Sequence, residues 1–192
     1  MLTNDYEREF NRLKTMGFIS PRRQIHRRRK GNLQASVFTN NTIHYNYLIE
    51  MPIESIAFCL LHEEGHLHNR KGPISPISMI VSLYILCFLL IFYYVPLPRL
   101  LIDFLMVLLV LGGIRLFNRY LRKDEKEADL WAKERYSRIY PSVPAYIAVS
   151  NAFTKISSHH GNIIIRCISR ILLFLVKDPH PPDQERIDYL RD

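Results

Sequence analysis

Cysteine is scarce in this chain of 192 residues: Cys59, Cys87 and Cys167 lie far apart, are odd in number and match no CxxC spacing. Neither a disulfide framework nor a thiolate zinc site is indicated, and a reducing compartment is expected. No cleaved secretory leader is expected, because the opening stretch MLTNDYEREFNRLK carries acids where a leader has basic residues followed by an apolar run. Acidic residues are outnumbered, 18 against 26 basic ones, for a formal net charge of +8. Much of the excess sits in RRQIHRRRK at 22–30, which holds six Arg or Lys. This run has no interleaved aromatics and fits no nucleic-acid module, so it reads as a solvated or membrane-surface segment. No nucleic-acid partner is expected.

Charge is missing altogether from one long stretch. The chain is 48% hydrophobic, with a mean hydropathy near zero, but its apolar residues are bunched between 77 and 117. ISMIVSLYILCFLLIFYYV at 77–95 has no charged residue and as a helix would measure about 28 Å, close to the hydrocarbon thickness of a bilayer. After Pro96-Leu97-Pro98-Arg99, LLIDFLMVLLVLGGIRLF at 100–117 offers a second span with one acid, Asp103, near its start. A chain this size has too little other material to cover two helices that are apolar all round, so the pair predicts a two-span transmembrane hairpin and makes the lipid bilayer a partner. Arg70 and Lys71 before it, and Arg115, Arg119, Arg122 and Lys123 after it, outweigh Arg99 in the connection. The excess places both long flanks on the cytoplasmic side.

Around this hairpin the pattern is mainly helical with a small β element, an α+β fold. Leu2, Tyr6, Phe10 and Leu13 fall at helical spacing and predict a short amphipathic helix. LQASVF at 33–38 and TIHYNYLI at 42–49 flank Asn40-Asn41 and predict a β-hairpin. Behind Pro52, apolar residues recur at three and four, so a helix runs from 53 to about 69. NRYLRKDEKEADLWAKERYS has no Gly or Pro, which extends the second span as a helix to about 137, where Pro141 and Pro144 stop it. A further helix is expected at 145–156, a loop at His159-His160-Gly161-Asn162, and an interfacial or core-packed helix at 163–177. The organisation expected is 1–31, an N-terminal helix and basic segment; 32–76, hairpin and motif helix; 77–117, the membrane hairpin; and 118–192, the remaining helical part.

LLHEEGH, 60–66, places His62 and His66 four residues apart on the helix at 53–69. One face can then offer two imidazole nitrogens to one ion. Glu63 is rotated by about 100° from His62, close enough to act as general base on a water at the ion without ligating it. A catalytic zinc needs three protein ligands and an open position, and Glu125 in DEKEADLWA completes a His2Glu set. Asp129, one turn on, is placed to accept a hydrogen bond from the far nitrogen of a ligating imidazole. The competing reading of Glu125 and Asp129 is a charged helix face with intrahelical pairs such as Asp124 with Lys126. His68, six residues after His62, points off the ligand face.

These residues resemble the HtpX-like zinc metallopeptidases, a family that includes the type I CAAX prenyl proteases. The resemblance rests on His62-Glu63-x-x-His66, on the apolar hairpin that follows, and on RKDEKEADLWA, which is similar to an R-x-x-E-x-x-A-D-x-x-A helix with Arg122, Glu125, Ala128, Asp129 and Ala132 in register. HPPDQERIDYL at 180–190 resembles the family's C-terminal His-Pro-x-x-x-x-Arg-Ile block through His180, Pro181, Arg186 and Ile187. It implies a gluzincin site with one Zn2+ on His62, His66 and Glu125, and Glu63 as catalytic base. It further implies His180 as a substrate or oxyanion contact or an occasional ligand, and Arg186 as anchor of that loop or a group facing the cleft. The activity implied is a membrane-bound metalloendopeptidase that hydrolyses polypeptides, membrane-associated or unfolded, at the cytosolic face. The alternative is a catalytically inactive membrane adaptor of the same fold. Two departures stand out: residues 1–52 hold none of the further spans of HtpX, and Glu64 occupies a position that is usually apolar, about 200° from His62 and without an assigned role.

Overall fold

In a computed structural model, the structure describes residues 5–28, 34–36, 42–46, 49–69, 82–90, 98–159 and 181–191. Its elements are helix α1 (Asp5–Thr15), strands β1 (Gln24–Arg28), β2 (Gln34–Ser36) and β3 (Thr42–Asn46), and helices α2 (Ile53–Asn69), α3 (Arg99–Ile139), α4 (Ala145–His159) and α5 (Asp183–Arg191). Residues 82–90 are also helical. The fold is mainly α with one small sheet. The chain divides into two compact units, one of residues 1–69, 124–162 and 181–192, the other of 70–123 and 163–180.

The first unit is built on apolar faces that the spacing foretold. On α1, Tyr6, Phe10 and Leu13 are buried. Gly17, at φ 80°, ends the helix. Only a residue without a Cβ adopts that left-handed turn cheaply, and the amides of Gly17 and Phe18 close it on the carbonyls of Lys14 and Leu13 at 3.1 and 3.0 Å. Buried Glu9 accepts from Arg12 at 2.8 Å and from the Tyr140 hydroxyl at 3.1 Å, so α1 is tied by polar as well as apolar contacts to the end of α3.

The expected hairpin is present as β2 against β3, antiparallel, with Ala35 opposite Ile43. It is part of a three-stranded sheet in the order β1-β3-β2. The third strand comes from the basic run: β1 pairs in parallel with β3, Ile25 beside Ile43. Reading 22–30 as a solvated or membrane-surface segment assigned it no strand, and Gln24–Arg28 forms one. One apolar residue among bases is a weak strand signal, yet an edge strand tolerates charge on its open side, where Arg27 is exposed.

Helix α2 is buried over much of its surface, with Ile56, Ala57, Phe58, Leu60 and Leu61 at 2% exposure or less. Burying each large side chain stabilises the unit by about 1.5–3 kcal/mol. Small residues on the neighbours, Ala145, Ala148 and Ala152 of α4 and Ala128 and Ala132 of α3, leave room for it. The Ser55 hydroxyl, fully buried, donates to the Ala148 carbonyl at 2.8 Å. Helix α3 ends at Ile139 and α4 runs through His159, which is thus the last helical residue and not part of a loop. The helix expected at 163–177 lies outside the described residues.

The second unit differs in what its apolar residues do. Among the described residues no helix is long and apolar enough to cross a membrane, so the two-span hairpin finds no support there. Of 77–95 only 82–90 are described, and 100–117, helical as expected, runs without a break into the charged stretch that follows. Within this unit Tyr84 packs on the Gly112-Gly113 pair, where a Cβ on Gly113 would stand 2.9 Å from the ring. Leu83, Leu86, Phe88, Phe104, Val107 and Leu111 are exposed, Phe104 by 59%.

Candidate metal centre

Two helices of the first unit supply the site. Helix α2 presents His62 and His66 edge to face, ring centroids 4.6 Å apart, and α3 brings Glu125 opposite them. The approach depends on Gly65. A Cβ there would lie 3.1 Å from both the Cα and the carbonyl oxygen of Ala128, so the backbones meet where any side chain would hold them apart. Glycine inside a helix costs about 1 kcal/mol relative to alanine, and this close crossing is what it makes possible.

The three side chains converge. His62 Nε2 and His66 Nε2 are 3.1 Å apart. Each is 3.5 Å from a Glu125 oxygen, His62 from Oε2 and His66 from Oε1. One potential ligand atom from each residue lies within 4.8 Å of the others, the one such group of three among the described residues. Bonds of about 2.0–2.2 Å at tetrahedral angles give ligand edges of roughly 3.3–3.5 Å, and the observed triangle is of that size.

The far nitrogens explain why the near ones are available. Asp129 Oδ1 lies 2.7 Å from His62 Nδ1, a close charge-assisted contact whose angle falls short of a directed hydrogen bond. Asp124 Oδ2 takes a 2.9 Å hydrogen bond with His66 Nδ1. A carboxylate at each Nδ1 makes that nitrogen the protonated one, so both Nε2 lone pairs point into the space shared with Glu125. Two imidazole nitrogens and a carboxylate converging from three sides call for a cation, and the residues fit a zinc-type ion. A proton answers the same demand: burial pulls the His66 imidazole down, but Asp124, Glu125 and Glu63 outweigh it and push its pKa up to about 10.

Asp129 is itself braced. Arg186 donates from Nε at 2.8 Å and from Nη2 at 2.6 Å, and the Tyr189 hydroxyl donates as well. Burial raises the Asp129 carboxyl, yet His62 and Arg186 hold it well below the usual carboxylate range. Arg186 also comes within 3.7 Å of Glu125. Its guanidinium, expected as a loop anchor or a group facing the cleft, is thus spent on Asp129 and Glu125. His180 lies outside the described residues.

Glu63 is partly exposed, and its charge reaches Cys59 and His66. Cys59 keeps part of its surface accessible, but burial of the thiol, then Glu63, push its pKa up to about 12. It remains a protonated packing residue. Glu64 acquires a partner that the sequence did not reveal: at 4% exposure it takes a 2.8 Å ion pair from Arg23 and faces the Ser20 amide at 3.4 Å. His68 is exposed and stacks loosely near Trp131, away from the ligands. Sequence reasoning missed Asp124, Gly65 and Tyr189. Of these only Gly65 carried a signal, as a glycine inside a helical pattern.

The family model for peptidase family M48 matches residues 31–192, which takes in both ligand helices and the C-terminal segment bearing Arg186. No curated protein and no solved structure matches the chain. The convergence of His62, His66 and Glu125 and the extent of that match lead to one assignment: the chain belongs to peptidase family M48, zinc metallopeptidases of the HtpX and CAAX protease type.

Proposed function

We propose that this protein is a membrane-bound, zinc-dependent metalloendopeptidase that cleaves membrane-associated or unfolded polypeptides at the cytosolic face. Its family makes it a metallopeptidase hydrolase in general terms. The observation that carries the finer reading is the pair of Nε2 atoms 3.1 Å apart beside Glu125, each imidazole backed by a carboxylate. Zinc bound by His62, His66 and Glu125 supplies Lewis acidity, which acidifies water and polarises a carbonyl. Glu63, one residue beyond His62 and partly open to solvent, takes the proton from the attacking water and returns it to the leaving amine. Arg186 fixes Asp129, which fixes His62, so Arg186 is a positioning residue and not one that touches substrate. His180 is retained as a candidate contact to substrate or oxyanion. Because β3 lies between β1 and β2, β2 is the hairpin's edge strand among the described residues, to which an extended polypeptide can add with little side-chain preference.

Membrane attachment is supported by the outward-facing apolar side chains between Leu83 and Leu116. A contiguous exposed apolar surface is unstable in water and marks contact with lipid or protein. The Tyr84 contact with Gly112-Gly113 suits helix packing in lipid, where close backbone approach replaces the hydrophobic drive. The Arg and Lys flanks support a site on the cytoplasmic side. The test uses purified full-length protein on unfolded casein: cleavage with zinc, none with a chelator, and none in Glu63→Gln although that variant retains metal. Metal-loaded wild type that cleaves no polypeptide would replace this reading with the inactive adaptor.

A further inference from the structure

We infer that Asp124 is a positioning residue for the metal centre: its carboxylate accepts the His66 Nδ1 proton and so aims the His66 Nε2 lone pair at the ion. This rests on the reading of His62, His66 and Glu125 as metal ligands. The hydrogen bond is 2.9 Å, and Asp124 directly precedes Glu125 on α3. Two consecutive residues of one helical turn therefore serve the ion, one by ligation and one through the imidazole that it orients.

The chemistry follows from the imidazole itself. A neutral histidine has two tautomers, and only the one protonated at Nδ1 presents Nε2 as a ligand. A carboxylate on Nδ1–H selects that tautomer, holds the ring against rotation and makes the opposite lone pair more basic. His62 also has a carboxylate at its Nδ1, Asp129 at 2.7 Å, but without the directed hydrogen bond that His66 has. The two carboxylates differ in support. Asp129 is fully buried and gripped by Arg186 and Tyr189, whereas the Asp124 side chain is 33% exposed. The His62 half is built into the core, and the His66 half depends on a carboxylate at the rim. Substitution at Asp124 therefore reaches the ion without emptying the core, which makes it a clean probe.

The experiment measures Zn2+ affinity of full-length protein by competition with a chromophoric chelator, together with the Co2+ absorption spectrum. Asp124→Ala is expected to bind Zn2+ about 10–100-fold more weakly and to show an altered Co2+ spectrum, with thermal unfolding of the metal-free protein unchanged. Asp124→Asn keeps an acceptor oxygen and is expected to recover most of the affinity. The inference is overturned if Asp124→Ala binds Zn2+ within about threefold of wild type with the wild-type Co2+ spectrum. It is also overturned if Asp124→Asn is as weak as Asp124→Ala, which would assign the effect to charge and not to the accepted proton. Wild type that binds neither ion would overturn the metal-centre reading itself, an outcome distinct from wild type that binds while Asp124→Ala is unaffected.

Discussion

The two units contain similar apolar residues and use them in opposite ways. In the first unit Phe58, Leu60 and Leu61 turn inward, and the polar groups taken in with them, Glu64 and Asp129, meet Arg23 and Arg186. In the second, Leu83, Phe104 and Val107 face out. Composition cannot tell these cases apart, because hydrophobicity measures aversion to water and not the identity of whatever replaces it. The candidate metal centre lies in the first setting, where burial makes an unpaired charge costly and so favours fixing each side chain to a partner.

That contrast can be attacked most forcefully at the Glu64 ion pair. Arg23→Ala leaves the buried Glu64 carboxylate without its cation, and the first unit is expected to lose about 3–5 kcal/mol, read as a lower midpoint in urea unfolding. Gly65→Ala is the next test. The added Cβ meets the Ala128 backbone at 3.1 Å, and overpacking of about 1–3 kcal/mol is expected to outweigh the ~1 kcal/mol gained in helix propensity. Thermal unfolding reports the sign, and weaker Zn2+ binding should accompany it. An unchanged melting temperature would show that the helices do not need to touch there.

Acid probes the same unit more gently. The folded-state pKa of Asp129 is depressed by His62 and Arg186, so its contribution is present above the unfolded value of about 4 and is lost as pH falls from there towards the folded value. Denaturant unfolding at pH 3 and pH 6 should therefore differ more in wild type than in Asp129→Asn. The smallest effect is expected in the second unit. Leu86→Gln or Phe104→Gln should change the stability of the first unit by less than about 0.5 kcal/mol while reducing recovery in the membrane fraction. Loss of metal binding in these variants would break the separation between the units.

Helical spacing made α1 and α2 legible, since a buried stripe repeats at three and four whatever lies across from it, and the lack of Gly or Pro between 118 and 137 made the length of α3 legible. The β2–β3 pair was legible from its β-branched and aromatic residues. Strand β1 was not, because Arg27 and Arg28 outweigh Ile25 in any local reading and only pairing with β3 gives the segment its conformation. At the site, His62, Glu63 and His66 announce themselves by position within one helix, and Glu125 and Asp129 by their own spacing. Asp124 stayed hidden: its meaning comes from His66, 58 positions away in sequence.

The sequence by itself determined which candidate ligands share a face on each of two helices, because a 3.6-residue period fixes which side chains line up, and its ordered motifs carried the family. Tertiary structure alone decided that the faces meet, that Gly65 lets them, that both imidazoles have carboxylates behind them, and that Glu64 and Arg186 are bound to charges far along the chain. Those are distances between residues remote in sequence, and no local pattern encodes a distance that folding has yet to close.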